Sequence, residues 1–232
     1  MRRLILLAII VITCFACNQK DENSMLLTGK VKGLKKGSLV LKKIEDEKLI
    51  VLDSIVMNGE EDFAFETIVA EPEMFYLQLD KLDGHPNDDN IPFFADKGAI
   101  VINTTLKDFG VDYTVTGSKN HDLLEQYRKV MKPVNDRNLD LIEETFKADV
   151  AKDSVKLAEL EKKAVSLLRN KYFRALNFAL SNKDAEIAPY IGAQEIGDAN
   201  LKILDTLHSS LPENIKKSKY GKELRAIING VN

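Results

Sequence analysis

The stretch Phe75-Tyr76-Leu77-Gln78-Leu79-Asp80 alternates apolar side chains with more polar ones. Because successive side chains of a β-strand point to opposite faces, this period of two predicts a half-buried strand. Similar short apolar runs, separated by turn residues, continue on both sides of it. They predict a series of short strands over residues 25–31, 38–43, 49–56, 62–68, 75–80, 91–95, 99–103 and 113–116.

The residues between these runs indicate how the strands connect. Asn58-Gly59 predicts a β-hairpin turn, because both residues tolerate positive φ. The spacing of strands and turns is typical of a β-sandwich or a partly open barrel. A group of lysines in the early strands indicates either an edge strand protected from pairing, which we favour, or a surface for an anionic glycan or lipid headgroup. These lysines are Lys32, Lys35, Lys36, Lys42 and Lys43.

The sequence changes character at Gly117-Ser118, after which glycines are rare and helix formers dominate. Ser118 is a typical N-cap, and the helix that follows it is predicted to end or kink at Pro133. Pro189 and Gly192 are predicted to separate later helices. The predicted helices cover residues 119–131, 139–147, 153–180, 199–210, 212–217 and 220–228.

Together these patterns predict an α+β fold. An antiparallel β-sandwich-like domain is expected over residues 24–117, and a helical region with a long antiparallel helix pair over residues 118–232. The length of 232 residues suits one large domain or two small ones.

The first 17 residues have the features of a bacterial lipoprotein export signal. Arg2 and Arg3 give a basic start, an apolar run follows, and small Ala16 precedes Cys17. The run is far shorter than the ~20 residues of a membrane-spanning helix. We therefore predict a signal peptide over residues 1–16, a lipid attached to the Cys17 sulfur, and a lipid-anchored polar linker over residues 17–23.

The residues beside this predicted anchor bear on its location. Lys20-Asp21-Glu22 resembles the acidic surface-export tag of Bacteroidetes lipoproteins, and Asn18 is not the Asp that marks inner-membrane retention in other diderm bacteria. Both features favour an outer-membrane anchor in the cell envelope, facing either the periplasm or the cell surface. The membrane, reached through the lipid on Cys17, is thus an expected partner.

Composition argues against two classes of function. Charged residues make up 30% of the chain and the net charge is -3, whereas a nucleic-acid-binding protein needs a basic face to displace phosphate counterions. No nucleic-acid partner is therefore expected. Cys14 and Cys17 have the C-x-x-C spacing of a redox pair, but such a pair belongs at a helix start after a strand and not inside an export signal.

Two groups of side chains have the chemistry of metal ligands. His85, His121 and His208 lack the paired spacing of zinc sites, so we interpret them as solvated side chains. The oxygen-rich segment 83–90 offers the hard ligands that calcium takes, although turn formation explains the same composition. The candidate calcium ligands are Asp83, Asn87, Asp88 and Asp89. The sequence contains no motif for nucleophilic catalysis, phosphate binding or a cofactor.

An ordered set of short motifs extends along almost the whole chain after the linker. The motifs are Leu27-Thr28-Gly29-Lys30-Val31-Lys32-Gly33, Gly37-Ser38-Leu39-Val40-Leu41, Asp53-Ser54-Ile55-Val56, Asn58-Gly59 with Phe63-Ala64-Phe65, Val115-Thr116-Gly117-Ser118-Lys119-Asn120, Leu211-Pro212-Glu213 and Ser218-Lys219-Tyr220-Gly221-Lys222. This set resembles Bacteroidetes-type envelope lipoproteins in which a β-domain of unknown function and a helical linker precede a thioredoxin-like thiol-disulfide oxidoreductase domain. Since this sequence reaches Asn232 without a C-x-x-C after Cys17, the resemblance implies the non-catalytic half alone.

The expected function follows from the anchor, the strand-rich domain and the missing catalytic motifs. We expect a lipid-anchored cell-envelope protein that acts as a non-catalytic binding or interaction module without a cofactor. The alternative is an accessory or truncated relative of a membrane-anchored thioredoxin-like thiol-disulfide oxidoreductase. In that case an envelope protein of the thioredoxin-like class would be its partner.

Overall fold

Strands occupy the first half of the chain, as the alternation of apolar residues predicts. The structure is a computed structural model that describes residues 23–45, 48–81 and 89–230. Each predicted strand is present in it, and most extend one or two residues beyond a predicted bound. The strands are β1 (Ser24–Lys32), β2 (Lys36–Glu45), β3 (Lys48–Asn58), β4 (Asp62–Ile68), β5 (Glu73–Asp80), β6 (Asn90–Ala95), β7 (Gly98–Thr105) and β8 (Tyr113–Thr116).

These strands form two four-stranded sheets. One has the order β4-β1-β7-β8 and the other the order β3-β2-β5-β6. Strands β1 and β7 pair in parallel, with Leu27 opposite Ile100, and the other strand pairs of the described chain are antiparallel. The predicted α+β class is confirmed, with the parallel β1–β7 pair as the departure from an all-antiparallel sandwich.

The core of the β region lies between the inner faces of the two sheets. On β5, Phe75, Leu77 and Leu79 are buried, while Tyr76 and Gln78 on the other face are only half-buried. This is the alternation that the sequence predicts for this strand. The inner faces of both sheets contribute Met25, Leu27, Val31, Leu39, Leu41, Phe63, Phe65, Phe93, Ile100 and Ile102 to the same core.

Two predictions about the strands were wrong. Asn58-Gly59 does not close a hairpin, because β3 pairs with β2 and β4 pairs with β1 in the other sheet. The Gly59 N–H instead donates to the Lys35 carbonyl at 2.9 Å, and the chain then crosses between the sheets. The early lysines do not protect an edge either. Strands β1 and β2 both have neighbours on two sides, so Lys32, Lys36, Lys42 and Lys43 lie on interior strands.

Helices dominate the chain after β8. They are α1 (Lys119–Val150), α2 (Ser154–Ser181), α3 (Ile187–Tyr190), α4 (Leu201–Ser210), α5 (Glu213–Lys216) and α6 (Lys219–Ile228), and a short π-helix (Ile191–Glu195) follows α3 directly. None of the helices in the described ranges is long and apolar enough to cross a membrane.

Helices α1 and α2 form the predicted long antiparallel pair. Ser118 caps α1 by accepting from the His121 N–H at 3.0 Å, and Asp153 caps α2 by accepting from the Lys156 N–H at 2.9 Å. Tyr127 lies near the start of α1 and Phe178 near the end of α2, and their rings are 5.5 Å apart. This pairing requires the helices to run in opposite directions.

The predicted helix breaks are wrong in two places. Pro133 lies inside α1, which continues to Val150, so the stretches over residues 119–131 and 139–147 belong to one helix. Pro189 and Gly192 lie within α3 and the π-helix instead of between helices. A Cβ on Gly192 would come within 2.8 Å of the Leu207 side chain, so the missing side chain allows close helix packing.

The helices pack on the outer face of the β3-β2-β5-β6 sheet. Met74 of β5 and Phe94 of β6 point away from the sandwich core and join the helical core. The same core contains Leu124 and Tyr127 of α1 and Tyr220 of α6. The outer face of the sheet is therefore covered at β5 and β6, where it meets the helices at the site described next.

Candidate functional site

A cleft of about 490 Å³ opens where the outer face of the sheet meets the helices. We call it the tyrosine cleft, because three tyrosines contribute to its walls. It is lined by Ile44, Met74, Tyr76, Tyr190, Gln194, Lys219, Tyr220 and Glu223. Its volume lies within the range of ~300–1,000 Å³ that small-molecule sites occupy, and its mixed lining is typical of them.

The sheet side of the cleft follows from the alternation along β5. Since Phe75 and Leu77 point into the sandwich core, Met74 and Tyr76 must point to the opposite face. Tyr76 is only half-buried, so part of its ring remains open to the cleft. Ile44, near the end of the adjacent β2, adds an exposed apolar side chain to the rim.

The helical side is held firm by an aromatic cluster. The rings of Tyr190 and Tyr220 meet edge to face with centroids 5.1 Å apart, and both pack in the same way on Phe94 at 5.3 and 5.9 Å. The Tyr220 hydroxyl accepts a hydrogen bond from the Met74 backbone N–H at 2.9 Å. These contacts fix the cleft walls before any ligand arrives, which reduces the entropy lost on binding.

The charged groups of the cleft already have partners within the protein. Lys219 pairs with the buried Glu73 carboxylate and donates to the Ile44 carbonyl at 2.8 Å, and Lys43 lies 3.4 Å from the same carboxylate. Gln194 donates to the Glu223 carboxylate. Burial raises the pKa of Glu223, although nearby Lys219 opposes this effect. No single sign of charge dominates, so the cleft offers little attraction to a strongly charged ligand.

The tyrosines act as neutral phenols. Burial raises the pKa of Tyr76, and burial together with the negative charge of Glu195 raises the pKa of Tyr190 to about 12. Both hydroxyl groups therefore keep their protons at physiological pH. A neutral phenol presents a hydrogen-bonding group at one end and an apolar ring face along its side.

A buried polar junction behind the cleft ties the sheet to the helices. The Asp96 carboxylate accepts from the Ser118 hydroxyl at 2.8 Å and from the Asn120 backbone and side-chain N–H groups at 3.1 and 2.9 Å. The Asn120 carbonyl oxygen in turn accepts from the Ile187 N–H at 3.1 Å. Three elements thus share one hydrogen-bond network, which holds α3 and the π-helix against the start of α1.

Most of the other predicted site residues cannot be placed relative to this cleft. Cys17 and the candidate calcium ligands Asp83, Asn87 and Asp88 lie outside the described residues. Asp89 is described, and its carboxylate lies 2.7 Å from the Lys81 ammonium group. Within the described ranges, no three His, Cys, Asp or Glu side chains gather as a metal site would require.

The interpretation of the histidines needs correction. His121 and His208 are 2% and 5% exposed, so neither is a solvated side chain, and burial lowers the pKa of both. His121 accepts weakly from the Phe94 N–H at 3.4 Å, which places it in the junction between sheet and helices. His85 lies outside the described residues.

A second depression surrounds His208 at the end of α4. Its rim carries Lys216, Lys222 and Arg225. Two of these cations already have acidic partners, since Lys216 lies 2.9 Å from Glu213 and Arg225 lies 3.5 Å from Asp205. The depression is also wide and shallow, so the tyrosine cleft is the better candidate for a binding site.

Sequence reasoning did not identify the tyrosine cleft. Tyr76 is more than a hundred positions from Tyr190 and Tyr220, and on the sequence each tyrosine fits a core or a surface position equally well. The available signal was weak: Tyr76 occupies the outward face of a predicted strand, and Tyr220 lies in one of the motifs that carry the family resemblance.

Comparison with known protein families identifies one segment of the chain. A family described as "Domain of unknown function (DUF4369)" matches residues 25–124, from the first strand to the beginning of α1. The matched segment includes Met74 and Tyr76 of the cleft and Asp96 of the polar junction, and it ends before the helical wall. A comparison with curated proteins found no match. The chain therefore contains a DUF4369 domain over residues 25–124, and this domain supplies the sheet side of the tyrosine cleft.

Proposed function

We propose that this chain is a lipid-anchored protein of the cell envelope that acts as a non-catalytic binding module. The tyrosine cleft is its binding site, and the lipid on Cys17 holds that site near the outer membrane. The observation that carries the proposal is a preorganised aromatic cleft in which Lys219 is paired with Glu73 and Glu223 accepts a hydrogen bond from Gln194. The lack of catalytic motifs and of any cysteine after Cys17 supports a binding role over a redox role.

The chemistry of the cleft favours an uncharged ligand that has both apolar faces and hydrogen-bonding edges. Neutral oligosaccharides combine these two features, since their C–H faces stack on aromatic rings while their hydroxyl groups bond to amides and carboxylates. Tyr76 and Tyr190 offer the ring faces, and Gln194 and Glu223 offer the polar groups. We therefore propose neutral glycans of the envelope as the ligand class.

Calorimetric titration of the purified full chain with neutral oligosaccharides tests the binding site. Tyr76→Ala is expected to weaken binding by roughly tenfold or more, because a half-buried aromatic side chain at the centre of a site is a typical hot spot. Glu66→Ala, on an exposed position of β4, is the matched control and should bind like the wild type. Absence of binding to every neutral oligosaccharide, or unchanged binding by Tyr76→Ala, would refute the proposed site.

The proposed lipid anchor on Cys17 is tested by a separate measurement. Intact-mass analysis of protein from the native host should give a chain that begins at Cys17 and carries a diacylglyceryl group and an N-terminal acyl chain. Multiple acyl chains give stable membrane attachment, whereas a single chain gives only marginal attachment. An uncut leader or an unmodified Cys17 thiol would contradict both the location and the argument against redox activity.

The resemblance to thioredoxin-associated lipoproteins supports a second candidate function. In this case the chain would assist a separate thioredoxin-like protein of the envelope, without exchanging disulfides itself. A neighbouring reading frame that begins with a thioredoxin-like domain would favour this role over glycan binding. The two motifs of this chain that contain Leu211 and Tyr220 lie within residues 201–228, which include α4, α5 and α6. This part of the chain resembles the linker that precedes a thioredoxin-like domain.

A further inference from the structure

A buried carboxyl group connects the two helices that carry Tyr190 and Tyr220. Glu186 is 7% exposed and directly precedes α3, which ends at Tyr190. Its Oε2 atom lies 2.6 Å from the hydroxyl oxygen of Ser218, the N-cap of α6. Tyr220 is the second residue of α6. This contact therefore joins the starts of the two helices whose tyrosines form the helical wall of the tyrosine cleft.

The Ser218 hydroxyl has one hydrogen and two possible acceptors. Its oxygen lies 2.6 Å from Glu186 Oε2 and 2.8 Å from the Ile215 carbonyl oxygen, and it accepts from the Gly221 N–H at 3.3 Å. A hydroxyl group donates one hydrogen bond and accepts two. When Glu186 is charged, the Ser218 hydrogen can therefore bond to only one of its two acceptors.

A proton on Glu186 removes this conflict. The carboxyl O–H then donates to the Ser218 oxygen, and the Ser218 hydroxyl donates to the Ile215 carbonyl. The Ser218 oxygen also accepts from Gly221, so its full bonding capacity is used. We call the group formed by Glu186, Ser218 and the Ile215 carbonyl the carboxyl switch. Its geometry suits a carboxylic acid better than a carboxylate, because each of its short contacts is then a hydrogen bond.

Glu71 and Asp96 place two further negative charges near Glu186. Glu71 lies between β4 and β5, and its carboxylate accepts from the Lys219 backbone N–H at 2.9 Å. Because Lys219 directly follows Ser218, this contact holds Glu71 at the same helix start as Glu186. Asp96 directly follows β6 and belongs to the polar junction at the start of α1. Three carboxyl groups thus converge from three separate segments.

The cations of this region are directed elsewhere. Within the described ranges Glu186 forms no ion pair, and the ammonium groups of Lys219 and Lys43 both pair with Glu73. Burial lowers the pKa of His121 on α1, so its ring is neutral at pH 7 and adds no positive charge. A buried carboxylate among like charges and without a cation is costly.

The charge on Glu186 changes near neutral pH. Burial, together with the charges of Glu71 and Asp96, raises the pKa of Glu186 from 4.5 to about 7, while the hydrogen bond from Ser218 opposes this effect. The folded chain therefore holds the proton below about pH 7 and loses it above. The hydrogen-bond geometry and the surrounding charges favour the same protonated form.

We propose that the carboxyl switch controls the tyrosine cleft: the protonated Glu186 holds α3 and α6 together, and loss of its proton releases the start of α6 and opens the helical wall. The effect on ligand affinity rests on the proposed function, whereas the movement of α6 does not. Since Tyr220 moves with α6, its hydroxyl leaves the Met74 N–H and its ring leaves that of Tyr190. Binding at the cleft then weakens as the pH rises through about 7.

Amide hydrogen exchange of the full chain without ligand tests the switch. Measured rates are divided by the intrinsic rates at each pH, so that only protection by structure is compared. Protection of residues 219–224, at the start of α6, should be at least ~tenfold lower at pH 8 than at pH 5.5, because the opened carboxyl regains its ordinary pKa of 4.5. Residues 25–31 of β1 should remain better protected than residues 219–224 at both pH values.

Two variants separate Glu186 from other titrating groups. Glu186→Gln does not titrate, and its amide donates to the Ser218 oxygen as the protonated carboxyl does, so protection of α6 should be equal at the two pH values. Glu66→Gln, at an exposed position of β4, should behave like the wild type. The proposal is overturned by pH-independent protection in the wild type or by an unchanged pH dependence in Glu186→Gln. Equal protection of α6 and β1 at pH 8 would also overturn it, because α6 would then open only when the whole chain unfolds.

The calorimetric titration with neutral oligosaccharides, repeated at pH 5.5 and pH 8, measures the effect on the cleft. The wild type should bind at least ~fivefold more weakly at pH 8, whereas Glu186→Gln should bind equally at the two pH values. Equal wild-type affinities would show that the switch does not control the cleft. If no oligosaccharide binds at either pH, the proposed function fails, whereas the exchange measurement still decides whether α6 is released.

Discussion

Replacing Gly29 with alanine is expected to lower the free energy of unfolding by about 3 kcal/mol. Gly29 lies in β1, between Phe63 of β4 and Ile102 of β7. A Cβ at this position would stand 1.8 Å from the Ile102 carbonyl oxygen and 2.9 Å from the end of the Phe63 ring. The oxygen belongs to the backbone, so relief requires the strands to move apart.

The sign of this effect depends on a competition between two terms. Alanine normally stabilises a strand relative to glycine by ~0.5–1 kcal/mol, because glycine loses more conformational freedom on folding. The clash with backbone outweighs this gain, since the β1–β7 hydrogen bonds cannot be kept at their normal length around an added methyl group. The missing side chain also leaves the space that the Phe63 ring occupies in the core.

Urea unfolding of the wild type and the Gly29→Ala variant measures the change. Gly59→Ala is the matched control, because a Cβ on Gly59 meets nothing within 4 Å and only its positive φ of 107° causes strain. The control should lose only ~1 kcal/mol. Equal losses in the two variants would show that the approach of β1 and β7 is not close enough to exclude a side chain.

The Glu186→Gln variant is expected to be more stable than the wild type at pH 8, by up to about 3 kcal/mol. Glu186 is 7% exposed, and its carboxylate accepts from the Ser218 hydroxyl at 2.6 Å. Burial raises the pKa of Glu186 from 4.5 to about 7, and the nearby charges of Glu71 and Asp96 act in the same direction, while the Ser218 hydrogen bond opposes it.

The direction of the pH dependence follows from this raised pKa. Below pH 4.5 the carboxyl is protonated in both the folded and the unfolded chain, so it leaves stability unchanged. Between pH 4.5 and about pH 7 the folded chain binds more protons than the unfolded chain, and stability falls as the pH rises. Above that window the buried carboxylate is charged, and its full cost is present.

Urea unfolding across a pH series isolates this contribution from those of other groups. The difference between Glu186→Gln and the wild type should be close to zero at pH 4.5 and should increase up to about pH 7, where it levels off. Glu66→Gln, an exposed position on β4, should show no such increase. A constant difference across the series would mean that Glu186 titrates as a solvated carboxyl group.

Local patterns were sufficient to predict the strands and most of the helical stretches. The alternation of Phe75, Leu77 and Leu79 and the cap at Ser118 depend on neighbouring residues, so they could be predicted without a structure. Asn58-Gly59 and Pro133 restrict the backbone conformation at their own positions. They do not determine which strands pair or where a helix ends. Those outcomes depend on which distant segments pack together.

The sequence by itself determined the two-sheet region and the long helix pair, and it predicts an export signal over residues 1–16. Each depends on the period or the order of side chains over a short stretch. Only the tertiary structure decided that β1 and β7 pair in parallel, that Tyr76, Tyr190 and Tyr220 meet in one cleft, and that Glu186 is buried. These features require contacts between segments far apart in the chain, and the packing of the helices on the sheet brings those segments together.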